Sequence, residues 1–482
     1  MVIPLCSDGK TASVSAKLQP VAPVRPDRIL EAGRAYHDLH TSGGHTLRKL
    51  LLVTNHRRAR FVWKLFLVVL AVSLASFTHL LNLLGIDDWL ERLQLEQMEY
   101  SVAARSTPSL HMLYIDEKDT LENVRGNFAQ EEQLWRRQHA LFLQALANAP
   151  KFVAFDLTFP SPNDGAEYQS ANAEMVKAVQ SATTSILLGA DLRNDDTPDL
   201  LDAFKDVAWG WVHVGGKRLE HGASTEYVRK YVLARSKLPA NVAVSPEDAY
   251  ASLAVMMRIL EKSPSSKARP SVRLDTKARR LILYAGDREI DRISCTIESD
   301  ETGHNIATMP LRYGRRGFGE GDSYVKELKR LSSLANEYKG QIVLIGVKTE
   351  RERCEITPQV KAYGYQLHAS VFSDLSRNTY PRTLPGWANL SVLLLLGAIA
   401  GFGRSSLPKS DIEVDTKVAG KRKLPAGLIV LLVLYAIVVW IFYRSASVLF
   451  DVGYGAVAVI ASYYYCGAAP ALSAKPSENE GT

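Results

Sequence analysis

Four apolar runs, unevenly placed, constrain this chain more than any other feature. One lies near the N-terminus, from Leu65 to Leu84. Three crowd the end of the chain, at Trp387 to Gly403, Leu424 to Tyr443 and Ser445 to Pro470. An α-helix needs roughly 17–25 apolar residues to cross a ~30 Å hydrocarbon core, so each run reads as a transmembrane helix. Between the first run and the others lie about 300 residues of mixed polarity, far too many for a loop without structure of its own. The expected layout is a folded domain held on one side of a membrane by both its ends.

Charge sets the side. Residues 1–64 carry eleven Lys/Arg against four Asp/Glu, and residues 404–424 carry six against three, while the large middle region is slightly acidic. Lys/Arg-rich flanks resist translocation. Arg57, Arg58, Arg60 and Lys64 therefore fix the N-terminus inside, and Lys421, Arg422 and Lys423 fix the later loop inside. The expected order is a basic cytoplasmic segment (1–60), a transmembrane helix (61–84), an extracytoplasmic domain (85–385), a second transmembrane helix (386–403) and a cytoplasmic loop (404–424). Two closing transmembrane helices (425–443 and 446–470) and a cytoplasmic tail (471–482) follow. This places the protein in a bacterial cytoplasmic membrane, with the bilayer as its first partner. The N-terminal basic charge is accounted for by topology, so no nucleic acid is expected.

The middle region alternates strand and helix signals. Short apolar strands are expected at Leu110–Ile115, Phe152–Phe155, Ser185–Leu188, Leu281–Tyr284 and Gln341–Ile345. Helices are expected at Ile86–Arg105, Glu131–Asn148, Ala171–Gln180, Pro246–Leu260, Ser323–Glu337 and Gly364–Leu375. Continuous apolar strands separated by helices imply a mostly parallel sheet covered on both faces. The fold class is thus an α/β extracytoplasmic domain plus four transmembrane helices. The stretch Asn194–Asn241 breaks the pattern and reads as an insertion or irregular lobe.

Parallel sheets bind ligands at the carboxyl ends of their strands. The candidates there are Asp116, Glu117, Asp156, Thr158, Asp191 and Thr349, with His368 on the helix that follows. Asp116 and Asp156 end consecutive strands. They either approach one another, to hold a hard cation or share a proton, or each caps its own loop. The run Gly314 to Gly321, with Arg315, Arg316, Gly317 and Gly319, precedes a helix and is a candidate anion loop. It lacks the Lys-Ser/Thr ending of a P-loop, and a surface loop is the alternative. Cys295 and Cys354 both fall in the exported domain, where a disulfide and two separate buried thiols are both open. No metal-ligand spacing, hydrolase elbow or kinase motif is present, and no cofactor is named.

In order, several pieces resemble the type 2 CHASE domain, the extracellular sensor of bacterial cyclases and kinases. They are Leu95 to Tyr100, Tyr114-Ile115-Asp116, Val153 to Phe159, Ala251 to Ala254, Gly340 to Gly346, Thr357-Pro358 and Gly364 to Ala369. The resemblance covers about residues 86–385. It departs at Ser101, where the family often has Asp, and after Gly346, where Lys348, Glu350, Arg351, Glu352 and Arg353 replace small residues. It implies a membrane-anchored sensor, not an enzyme, working as a homodimer. Family members usually continue into an output domain; here ten residues follow Leu472, so the expected output is a separate cytoplasmic signalling protein. The alternatives are an envelope scaffold and a metal-dependent hydrolase using Asp116 and Asp156.

Overall fold

Strands apolar at every position have no solvent face, so both sides of a sheet made from them must be covered. The computed structural model describes residues 61–75, 109–406 and 426–466, apart from short stretches within those ranges. In chain order the first strands are β1 (Leu110–Asp116), β2 (Phe152–Thr158), β3 (Ser185–Ala190) and β4 (Ala208–Trp211), then a short hairpin of β5 (Lys217–Leu219) and β6 (Glu226–Val228). Next come β7 (Lys230–Pro239), β8 (Glu247–Ala251), β9 (Pro270–Asp275), β10 (Arg280–Ala285), β11 (Arg288–Ser294), β12 (Thr296–Ser299) and β13 (His304–Pro310). The rest are β14 (Asp322–Ser323), β15 (Ile342–Lys348), the pair β16 (Arg353–Glu355) and β17 (Lys361–Tyr363), and the pair β18 (Arg382–Thr383) and β19 (Val448–Leu449).

The helices are α1 (residues 61–75), α2 (Phe128–Glu131), α3 (Arg136–Leu146), α4 (Ala166–Ser181), α5 (Leu253–Lys262), α6 (Tyr324–Leu328) and α7 (Leu334–Glu337). Four more follow: α8 (Gly364–Arg377), α9 (Gly386–Ser406), α10 (Ala426–Ala446) and α11 (Val452–Cys466).

Two sheets organise the domain. The first is six-stranded and parallel, in the order β14-β1-β15-β2-β3-β4. Because side chains alternate along a strand, β2 sends Val153 and Phe155 to one face and Phe152 and Ala154 to the other. The first face packs on α3, α4, α6 and α7, around Phe142, Met175, Tyr324 and Leu334. The second packs on α5 and α8, whose far side meets the other sheet. That sheet is seven-stranded and antiparallel, in the order β11-β10-β9-β8-β7-β13-β12. Strand β9 of this sheet is covered on one face only: it buries Val272 and Leu274 while Ser271 and Arg273 face solvent. Such one-sided alternation is what an antiparallel sheet tolerates and a parallel one does not.

The expected fold class is therefore corrected on two counts. The domain is mixed α/β, with a large antiparallel sheet beside the parallel one. The stretch read as an irregular lobe supplies β4 to β7, and the helix expected at Pro246–Leu260 divides into β8 and α5.

The expected four transmembrane helices are also corrected, since among the described residues no helix is long and apolar enough to cross a membrane. The last run is interrupted by β19, which leaves α11 only 15 residues, about 22 Å at 1.5 Å per residue. These helices still pack together. Val69 and Val72 of α1 meet Leu393 and Tyr454, Ala400 meets Leu428 and Tyr463, and Tyr435 packs beside Val452 and Ala456.

One buried histidine makes the first layer sensitive to acid. His139 on α3 is 2% exposed, with Nδ1 3.0 Å from the Tyr324 hydroxyl and its ring edge-on to Phe155. Burial, with the nearby Arg136 charge, pushes its pKa down to about 3. The folded state keeps it neutral, whereas the unfolded chain takes up a proton below about pH 6.5. Its contribution is thus complete above pH 6.5 and is lost as pH falls toward 3. His139→Phe removes that dependence. Between pH 7 and pH 5, urea denaturation should shift by about 2 kcal/mol in the variant's favour relative to wild type.

Candidate functional site

The carboxyl end of the parallel sheet brings together Asp156 and His368. On β2, Asp156 has the same parity as Phe152 and Ala154, so it faces α8. Five residues into that helix, His368 is fully buried, and its Nε2 lies 3.2 Å from Asp156 Oδ1 and 3.2 Å from the Val212 carbonyl. Its Nδ1 is 2.5 Å from the Tyr231 hydroxyl at the start of β7. A carbonyl can only accept, so Nε2 carries the proton and Nδ1 accepts from Tyr231. One histidine thereby ties β2, the segment after β4, and the antiparallel sheet to α8. Burial raises the Tyr231 pKa well above its ordinary value, and the nearby Asp156 charge adds to this. The phenol therefore remains a donor.

Asp156 is only 6% exposed, and among the described residues its Oδ2 meets no hydrogen-bond donor. An unsatisfied buried carboxylate oxygen costs on the order of 1–3 kcal/mol or more. Arg235 shows the contrasting arrangement. Its guanidinium, 7% exposed, donates to Asp300 (2.7 Å) and Asp196 (2.5 Å) and to Thr302 (2.9 Å). Burial pushes Asp300 up, but the bonds from Arg235 and Thr302 win and hold its pKa at about 2. That cluster is self-satisfied, whereas Asp156 is not.

Beside the pair, Asp191 accepts from the Trp211 indole (3.3 Å) and from the Leu192 amide (2.8 Å). His213 stacks on Trp211 at 4.9 Å, and its pKa is lowered by burial, against the pull of Asp191.

The remaining candidates fall elsewhere. Strand β15 lies between β1 and β2, which puts Asp116 and Asp156 at least two strand spacings apart, about 10 Å or more. Asp116 instead caps its own loop, with Oδ1 accepting from the Lys118 amide at 3.0 Å while its own amide donates to Asp119. Glu117 accepts from the Glu350 amide at 3.4 Å, beside Thr349 at the end of β15. Thr158 closes β2 opposite Gly189. Among the described residues, no group of three or more His, Cys, Asp or Glu is placed to hold a metal ion.

The carbonyl of Gly319 accepts from Gln366 Nε2 at 3.0 Å. Arg315, Arg316 and Gly317 lie outside the described residues, as do residues 1–60, the helix expected at Ile86–Arg105, most of loop 404–424 and the tail. No bond joins Cys295 to Cys354, and burial pushes the Cys295 thiol up to about 12. Sequence reasoning missed Tyr231, Trp211 and His213, because all three sit in the stretch read as irregular. A cavity of about 420 Å³ opens at the other end of β3 and β4, away from Asp156 and His368.

Two sheets clasping a pair of helices, with a buried polar lock where α8 meets both sheets, define a domain of mixed α/β class. A family model of the CHASE2 domain matches residues 65–403, and the chain belongs to that family of extracellular sensory domains. No curated protein matches the chain, and no solved structure matches it.

The seating of α8 depends on Gly346, the β15 residue opposite it. A Cβ there would lie 2.2 Å from Tyr365 Cβ and 2.7 Å from Tyr365 Cγ. Tyr365 is itself 1% exposed and cannot swing away. Gly346→Ala should lower stability by roughly 2–3 kcal/mol, read from chemical denaturation.

Proposed function

We propose that this chain is an extracytoplasmic sensor held at a membrane, which binds a signal in the folded domain and passes its state to a separate cytoplasmic protein. The observation that carries this reading is the path of α8. The helix holds His368 against Asp156, Tyr231 and Val212. It ends on an αL cap at Asn378, buries Tyr380, and leads within five residues into β18 and then α9. Strand β18 pairs in parallel with β19, in the turn between α10 and α11. Leu449 of β19 is buried in the same core as α8. A shift of α8 would therefore act at once on the start of α9 and on the turn between α10 and α11.

Lipid is the proposed cover for those helices. Their outward side chains include Trp63 (61% exposed), Leu395 (61%) and Phe402 (58%). Large apolar side chains exposed along several helices mark a membrane or protein contact. The signal is read as bound, not transformed, because the Asp156–His368–Tyr231 lock is closed to solvent. Two copies acting together, as other sensors do, is part of the same proposal.

Hydrogen exchange on the full chain tests the route. His368→Gln should speed exchange in α8 and also at Arg382–Thr383 and Val448–Leu449. If the change stays within α8 and its immediate neighbours, the route is wrong. Flotation with phosphatidylcholine–phosphatidylglycerol vesicles tests the lipid contact: the full chain should rise with the vesicles, and a chain left in the dense fraction overturns it.

A further inference from the structure

The cavity at the far end of β3 and β4 has an uneven chemistry. Its inner wall is apolar, made by Met256 and Leu260 of α5 and by Val272 of β9. Across its mouth stand two part-exposed rings, Trp209 on the outer strand β4 and Tyr250 on β8, with centroids 5.7 Å apart. They come from different sheets, so the cavity sits on the seam between them. Gly210 closes the seam: a Cβ there would lie 2.6 Å from Leu253 Cα, so the start of α5 rests directly on the edge strand.

Charge at the rim is positive. The ionised lining residues are Lys205, Lys237 and Arg269 against Asp206. Arg269 is paired with Asp206 at 2.5 Å, and Lys205 with Asp202 at 3.0 Å. Lys237 lies over the Tyr250 ring at 5.4 Å, and among the described residues no carboxylate is paired with it. A cation held above an aromatic face, without a counter-ion and beside an apolar hollow, is half of a recognition site for an anion with an apolar body.

We infer that this cavity binds a small aromatic carboxylate, with the ring against Trp209, Tyr250 and Val272 and the carboxylate on Lys237. The volume of about 420 Å³ suits a ligand of one or two rings. Taken with the sensor reading, on which this step rests, the site is where the signal enters. Helix α5 forms the cavity wall and is bonded to α8 through Ser376 Oγ and Glu261 Oε2, 2.7 Å apart. Glu261 is held in turn by Arg258 at 2.6 Å. Ligand that draws β4, β8 and α5 together would press on α8 through that contact.

Calorimetry on the full chain, with phenylacetate and its neutral analogue phenylacetamide, tests the site. Phenylacetate should bind at roughly millimolar Kd or tighter, and phenylacetamide at least about ten-fold more weakly. Lys237→Gln should cost phenylacetate about ten-fold in affinity, Lys237→Arg should restore most of it, and neither should move the unliganded melting point, since Lys237 is exposed. Absence of binding at ~5 mM phenylacetate overturns the proposal. So does equal affinity for acid and amide, or an unaltered affinity in Lys237→Gln. Hydrogen exchange with phenylacetate bound separates the two readings: binding without any change at β18 and β19 leaves the site standing and refutes the transmission route.

Discussion

Everything in this domain depends on α8 being buried between two sheets. Ten of its fourteen residues are buried, including Gln366, His368 and Asp374. A helix buried over most of its surface must satisfy its buried polar side chains inside the protein. Gln366 does so by accepting from its own N-cap amide, Tyr363, and donating to the Gly319 carbonyl. Asp374 accepts from Thr379 at the helix end. His368 bonds to partners from both sheets. Each polar group thus fixes one coordinate of the helix: its start, its end, and its rotation against the sheets. Gly346 fixes the remaining one, the distance to β15, by having no side chain.

The parallel half was legible because its signal is local. A strand buried on both faces must be apolar throughout, and Phe152–Phe155, Ser185–Leu188 and Gln341–Ile345 were readable for that reason. Their order in space was not. Strand β15 enters between β1 and β2 from some 190 residues downstream by the numbering, and nothing in the composition of Asp116 or Asp156 reports a neighbour that distant. Hence approach and separate loop-capping both stay open for the two acids until the position of β15 decides for separation. The antiparallel half was harder. Strand β10 was readable from its run Leu281–Tyr284, but β9 and β11 alternate Arg, Ser and Asp with single apolar residues, and such short stretches mimic loops. Glu247–Ala251 reads as helix by its Glu, Asp and Ala, yet β7 and β9 on either side of it impose the extended form.

The site was half legible for the same reason. Asp156 and His368 were readable only as two candidates among several, an acid at a strand end and a histidine on a distant helix near apolar neighbours. Tyr231 did not, since a tyrosine in a β-rich stretch is ordinary core material and only the tertiary fold aims its hydroxyl at Nδ1. The apolar runs taught a different lesson. Run length alone suggested helices, but Val448-Leu449 inside the last run is a strand, because β18 offers it an edge to pair with. Tertiary pairing there outweighs hydropathy.

That short strand pair has a mechanical consequence. A two-residue parallel pair contributes little by itself, since exposed two-stranded ribbons are marginal in water. Its strength comes from Leu449, 6% exposed in the domain core, and from Tyr380, 3% exposed, whose hydroxyl accepts from the Ser294 amide of β11. The turn between α10 and α11 is therefore nailed into the domain by one leucine, while α9 leaves from the strand beside it. Below the turn, α10 and α11 are pressed close: a Cβ on Gly455 would fall 2.0 Å from the Tyr435 hydroxyl. A joint of this kind does not bend gradually, because close-packed surfaces resist small displacements and yield between discrete arrangements. The tie between core and helices is thus short, buried at one end and tightly packed at the other. Those are the properties that the proposed route from α8 to the helices requires.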